Sequence, residues 1–190
     1  MQDIRTRLIE ATFKEVYTNG YHATSLANIL KSADTKKGSM YHYFSSKKEM
    51  VIAMIEEKIE IRIEKRWHKL SQKDTQIIDF FISILKDTHN IDLERGCPLG
   101  NLLQESLKND QEFTETLAKI LQNWKRIFIT ILEKALKNGE IRNDIQIEQC
   151  AIFLIASIEG ALLIAKKSKD KKDYEDCISQ LCFYLNSIKK

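Results

Sequence analysis

Lys37-Gly38-Ser39-Met40-Tyr41-His42-Tyr43-Phe44-Ser45-Ser46-Lys47-Lys48-Glu49 reads as a very short helix followed at once by the start of a long one. Met40 and Phe44 stand four residues apart and share a face, while Lys37, Ser39, Tyr41, His42 and Tyr43 fall largely on the other side of a helix that begins near Lys36. A helix this short forms too few internal hydrogen bonds to persist alone, so neighbouring elements must hold it, and its wide outer face is free for another molecule. Ser46 offers a cap to the helix that follows. Met50, Ile52, Ala53, Met54, Ile55, Ile59, Ile61 and Ile63 give that helix a broad apolar surface as far as about Leu70.

Working upstream, Ile9, Phe13 and Val16 recur at helical spacing between Asp3 and Asn19, and Asn19-Gly20 is a natural stop. Thr24 and Ser25 offer hydroxyl caps to a helix of barely two turns whose apolar positions are Leu26, Ile29, Leu30 and Ala33. Asp34 and Thr35 then turn the chain, with Thr35 the candidate cap for the next helix. Two short helices across a tight turn, buttressed by a longer one, form a helix-turn-helix. Downstream, five further helices are predicted at about 74–89, 98–108, 111–138, 146–166 and 171–188. The breaks between them are Arg95-Gly96-Cys97-Pro98, Asn109-Asp110, Asn138-Gly139 and a charged loop from Lys166 to Asp173. The fold class is therefore all-α, with nine helices.

Composition agrees. One proline and six glycines in 190 residues are too few for sandwiches, barrels or propellers, and 43% hydrophobic with 30% charged residues describes a folded chain. The net charge of +3 decides nothing, but its placement is uneven. Residues 1–48 hold eight basic side chains (Arg5, Arg7, Lys14, Lys31, Lys36, Lys37, Lys47, Lys48) against four acidic ones, whereas the rest carry 22 basic and 23 acidic. A basic head on a nearly neutral body points to a polyanion at one end. Cys97, Cys150, Cys177 and Cys182 are irregularly spaced, without C-x-x-C or a histidine pair, and no apolar leader follows the start, which fits a reducing cytoplasm. The apolar run Cys150–Ala165 includes Ser157 and Glu159 and falls short of about 20 apolar residues, so it reads as a helix buried by protein, not one crossing a membrane. Paired carboxylates, a nucleophile beside a base, a phosphate loop and a metal-ligand set are all missing, which argues against an enzyme and against a metal or other cofactor.

The run Gly20-Tyr21-His22-Ala23-Thr24-Ser25-Leu26-Ala27-Asn28-Ile29 together with Lys37 to Glu49 resembles the DNA-binding head of the TetR family of bacterial regulators. The resemblance implies a head at residues 1–47, a ligand-binding and dimerising body at 48–190, and a homodimer that represses by binding an inverted-repeat operator in double-stranded DNA until a small molecule enters the body. In such a head the third helix enters the major groove. There Lys37 can donate to guanine, Gly38 lets the backbone approach, and Tyr41 and His42 can reach base edges or a thymine methyl. Thr24, Ser25, Ser39, Tyr43 and Lys47 are candidate phosphate donors. Relatives usually have Gly, an aliphatic residue and Ser in the turn where this chain has Asp34, Thr35 and Lys36; Lys36 then replaces a hydroxyl contact by charge.

In the body, Ile155, Ile158, Gly160 and Leu162 of the eighth helix and Tyr174, Ile178, Leu181 and Leu185 of the ninth are the expected dimer face, as an intermolecular four-helix bundle, with an intramolecular core as the alternative reading. Phe80, Phe81, Phe113, Trp124, Phe128 and Phe153 are the expected lining of an effector pocket, at least half of them reading equally as plain core, and such a lining calls for a hydrophobic or aromatic compound. The stretches Arg95 to Leu102 and Ile158 to Lys166 resemble a subgroup of the family, some of whose members respond to reactive electrophiles. Cys97, between Arg95 and a helix start at Pro98, is the corresponding thiol, with a buried turn residue as the plainer reading. The alternative function is a helical small-molecule-binding or adaptor protein without DNA binding. His22, His68 and His89 read as ordinary surface residues.

Overall fold

A computed structural model of the chain describes residues 3–89, 91–105 and 110–190. The helices are α1 (Ile4–Asn19), α2 (Leu26–Ser32), α3 (Lys37–Tyr41), α4 (Lys47–Met54), a π-helical stretch (Ile55–Glu60), α5 (Ile61–Ser71), α6 (Ile77–Lys86), α7 (Pro98–Gln104), α8 (Gln111–Lys137), α9 (Ile147–Ser168) and α10 (Lys171–Ser187). Since α4, the π stretch and α5 follow one another without a break, the described residues form nine helical rods, as expected. The end of the predicted helix 98–108 beyond Glu105 and the break at Asn109 lie outside the described residues. The chain divides into two compact units, Met1–Ile63 with Pro98–Leu121, and Glu64–Cys97 with Gln122–Lys190.

In the first unit each helix end has a local cause. Asp3 accepts from the Thr6 amide at 2.9 Å to start α1, and Gly20, at φ 84°, ends it by donating to the Val16 carbonyl at 2.8 Å. Ser25 caps α2 and Ser46 caps α4, each accepting from the amide three residues on at 3.1 Å. Asp34 takes the left-handed turn at φ 47°, which a short polar side chain tolerates. Lys36 precedes α3 with no side-chain cap, and Thr35, expected to cap, instead donates its hydroxyl to the Ala33 carbonyl at 3.2 Å. Leu8, Ile9, Ile29, Met40, Phe44, Met50 and Met54 are buried, and α1 packs on α2, α3 and α4, so it holds the two short helices. The π stretch is tied to α1 by ion pairs of Arg5 with Glu57 and of Lys58 with Glu10.

In the second unit α9 packs on α10, and α10 on α6. Helix α6 starts at Ile77, later than predicted, because Gln76 is left-handed (φ 54°) and Glu140 caps from a distance, accepting from the Ile77 amide at 2.7 Å. The loop expected from Lys166 to Asp173 shrinks to Lys169-Asp170. Lys166 and Lys167 complete the last turn of α9, where cations suit the helix end, and Asp170 caps α10 by accepting from the Lys172 amide at 2.8 Å. Among the described residues α9 is the one helix long and apolar enough to cross a bilayer, yet Ala151, Leu154, Ile158, Ala161 and Ala165 are buried within the unit, as in a core helix.

Candidate nucleic-acid interface

Helix α3 turns Met40 completely inward and leaves the rest of its surface open. Lys36, Lys37, Gly38, Tyr41, His42 and Tyr43 are exposed, Ser39 is half-buried, and Tyr41 and Tyr43 retain 53% and 43% of their surface. Lys37 Nζ stands 5.7 Å from the centroid of the Tyr41 ring one turn later, which gives this face a cation and an aromatic edge side by side. A methyl group added at Gly38 would meet nothing within 4 Å, so no packing inside the chain requires a glycine there. A helical glycine costs about 1 kcal/mol relative to alanine, and its use is left to whatever approaches from outside.

The phosphate candidates divide. Ser25 is exposed and its oxygen already accepts from Asn28, leaving its own proton to donate. Thr24 does not fit: it is 1% exposed, and its hydroxyl donates to the Gly20 carbonyl at 2.7 Å, so its proton is spent inside the head. Lys47 is half-buried and donates to the carbonyls of Tyr21 at 2.8 Å and Thr24 at 2.9 Å, so two of its three protons fasten α4 to the loop after α1. Burial holds the Lys47 ammonium below its usual range. Glu105 grips the same loop. It accepts from the His22 amide at 3.2 Å, and its carboxylate lies where a side chain at Gly20 would stand, 2.6 Å from that position. Lys48 pairs with Glu112 at 2.8 Å and Asp110 at 3.3 Å, and Arg7 donates to the Asp34 carbonyl at 3.2 Å, pinning the turn before α3.

The body residues also sort themselves. Phe81, Trp124 and Phe128 come together in the second unit, joined by Trp67. Phe80 lies apart under Lys73, Phe113 packs on Tyr21 in the first unit, and Phe153 is 46% exposed against Tyr184, so these three do not share that cluster. Seven of the eight expected dimer residues, Ile155, Ile158, Leu162, Tyr174, Ile178, Leu181 and Leu185, are buried within the protomer because they form its own α9–α10 core. The apolar side chains these helices expose are Ile152, Phe153, Leu163, Ile164 and Phe183, and Gly160 has nothing within 4 Å of an added methyl. Cys97 hydrogen-bonds to Glu159, and burial pushes the Glu159 carboxyl up. Arg95, expected to favour a thiolate, is paired with Asp92 at 2.6 Å. A cavity lined by Phe13, Tyr17, Met54, Ile59, Pro98 and Leu102 holds about 10 Å³, room for one water.

Residues 8–54 match the family described as "Bacterial regulatory proteins, tetR family", and residues 75–181 match "Tetracyclin repressor-like, C-terminal domain". The chain belongs to the TetR family. Among its relatives is an HTH-type transcriptional regulator in the lacX 3' region of Lactococcus lactis subsp. lactis, 27% identical over 90% of this chain and 87% of the relative. The HTH-type transcriptional repressor NemR of Escherichia coli (strain K12) is 25% identical over 94% of this chain and 92% of its own. In fold, the chain is similar to the reduced form of E. coli NemR (TM-score 0.85, 22% identity, 100% and 98% covered) and to a TetR-family regulator from Cytophaga hutchinsonii (TM-score 0.87, 23% identity, 97% and 94% covered). This TetR-family chain is thus a helix-turn-helix transcriptional regulator and not an enzyme.

Glu105, Trp67 and the inward role of Lys47 lie beyond what the sequence pattern shows. Glu105 and the internal role of Lys47 depend on contacts between residues far apart in the chain, which no local pattern shows. Trp67 takes its place in the ring cluster through tertiary packing against Phe81 and Phe128.

Proposed function

We propose that this regulator is a repressor that binds an inverted-repeat operator as a homodimer and is released by a small hydrophobic or reactive molecule, acting in the cytoplasm. The observation that carries the reading is the outward face of α3, where Lys37 and Tyr41 flank a glycine that the chain's own packing does not use. On this reading residues 1–47 are the DNA-binding head and 48–190 the ligand-binding and dimerisation body. Lys37, Gly38, Tyr41 and His42 face base edges; Ser25, Lys36, Ser39, Tyr43 and the remaining proton of Lys47 face phosphates. The partner protomer covers Ile152, Phe153, Leu163, Ile164 and Phe183, with Gly160 marking the closest helix crossing. Footprinting of the purified protein on DNA flanking its own coding sequence tests this. Two protected half-sites of opposite orientation, their centres about one helical turn (34 Å) or more apart, are expected; a chain that binds no such DNA but still binds small molecules would be the adaptor instead.

Cys97 is the site proposed for a reactive effector, since it is a half-exposed thiol outside any disulfide, hydrogen-bonded to Glu159 and placed just before the start of α7. A thiol-reactive quinone should release DNA from the wild type and not from Cys97→Ser. Equal release from both would leave the non-covalent effector site as the sensor.

A further inference from the structure

Trp67 and Trp124 are the chain's two tryptophans, and both lie in the ring cluster of the second unit. They are 1% and 4% exposed, with ring centroids 6.4 Å apart and planes inclined by 26°. Phe128 stands edge-on to both, at 4.7 Å from Trp67 and 5.9 Å from Trp124, and Phe81 closes the group at 5.4 Å from Trp67. Both indole Nε1–H groups are buried and meet no acceptor among the described residues. An indole nitrogen can only donate, and a buried one ordinarily has a partner. Two unpartnered donors in one apolar cluster are each able to take an acceptor that reaches them.

We infer that this cluster contacts the effector and selects an uncharged aromatic molecule bearing a carbonyl-type acceptor, such as an aryl ketone, over the hydrocarbon of the same shape. The inference rests on the reading of the body as the effector-binding part and names the chemistry it prefers. The rings supply apolar contact, and the indoles supply neutral donors. A carboxylate would accept equally well but would lose its hydration among four rings. Arg66, which lies 5.2 Å over the Trp67 ring, directs a guanidinium nitrogen to the Ile84 carbonyl at 3.4 Å.

The test uses the full chain labelled with ¹⁵N in its indoles, where the two Nε1–H resonances report on the site alone. Acetophenone should move at least one of them downfield and saturate. It should bind at least about tenfold tighter than ethylbenzene, which is about 1.4 kcal/mol, and tighter than benzoate. Trp67→Phe and Trp124→Phe each keep a ring and leave one resonance, and at least one of them should bring the acetophenone-to-ethylbenzene ratio close to one. Equal affinity for the two probes, or shifts elsewhere with both indole resonances unmoved, overturns the acceptor site while leaving an effector-binding body. Tighter binding of benzoate overturns the preference for an uncharged molecule, and no binding of any probe overturns the site itself. Whether the body responds to small molecules at all is read separately, from release of the flanking DNA by the thiol-reactive quinone.

Discussion

Tyr21 holds the Lys47 ammonium twice, accepting from Nζ at its carbonyl at 2.8 Å and presenting its ring face 4.1 Å away. The first residue of α4 is therefore fastened to the loop that leads into α2, and the spacing of the two short helices is set by a side chain that faces inward as much as out. Removing it should cost stability before it costs charge. Lys47→Ala is expected to lower the unfolding free energy by about 2 kcal/mol, as for a lost charge-assisted hydrogen bond, measured by urea denaturation. It should weaken DNA binding while reducing the salt slope by less than one full phosphate contact. An unchanged stability with a full unit lost from the slope would return Lys47 to the role of a simple phosphate donor.

Gly38→Ala separates folding from function. With no neighbour within 4 Å, the added methyl should stabilise α3 by about 0.5–1 kcal/mol through helix propensity, raising the melting temperature. On the proposed reading, in which Gly38 faces base edges, operator affinity measured by fluorescence anisotropy should nevertheless fall. A more stable variant with undiminished affinity would remove Gly38 from the interface.

Lys37→Ala should act on specificity. The side chain is exposed and beside Tyr41, so its loss should leave stability within about 0.5 kcal/mol of the parent. Its discrimination at one base pair should drop by about 1–3 kcal/mol in competition binding against single-base operator variants. A uniform loss across all variants would make Lys37 a phosphate contact.

The head was legible because its periodicity is local. Met40 and Phe44 four residues apart, and the caps Ser25 and Ser46, lie within a turn of what they hold. The π stretch was not: Ile55 and Ile59 fit an α-helix equally well, and its ties, Arg5 to Glu57 and Lys58 to Glu10, join residues about fifty positions apart. The side chains expected at a dimer face on α9 and α10 lie inside the protomer for a related reason. An apolar stripe shows that a face is covered but not by which chain, and Ile155, Ile158 and Leu162 are covered by the protomer's own α10 side while Ile152 and Ile164 are left outside. Thr24 shows the same limit at the scale of one hydroxyl, since its sequence position suits a phosphate donor and its proton goes to Gly20.

Phe183→Glu tests that outer face. The ring is 72% exposed on α10, where a buried carboxylate across a two-fold interface would meet its own copy or apolar neighbours. Sedimentation should show a monomer at concentrations where the parent is a dimer, and operator affinity should fall with it. A dimeric variant would move the interface elsewhere on the protomer.

Glu159 provides the pH test. Burial raises its carboxyl pKa, with the Cys97 hydrogen bond opposing the shift. A carboxyl whose folded pKa lies above its unfolded value contributes stability that is fully present below the unfolded value, near 4.5, and is lost as pH rises through the folded one. Raising the pH therefore presses charge onto a carboxyl in a place that disfavours it. Glu159→Gln, which keeps the shape and removes the charge, should raise the melting temperature at pH 8, and the gain should shrink steadily toward pH 4, where the parent carboxyl is protonated too. Thermal denaturation of both proteins across this range checks the sign. A gain that is constant with pH would reflect packing instead, and a loss at pH 8 would mean that the ionised carboxylate is compensated within the fold.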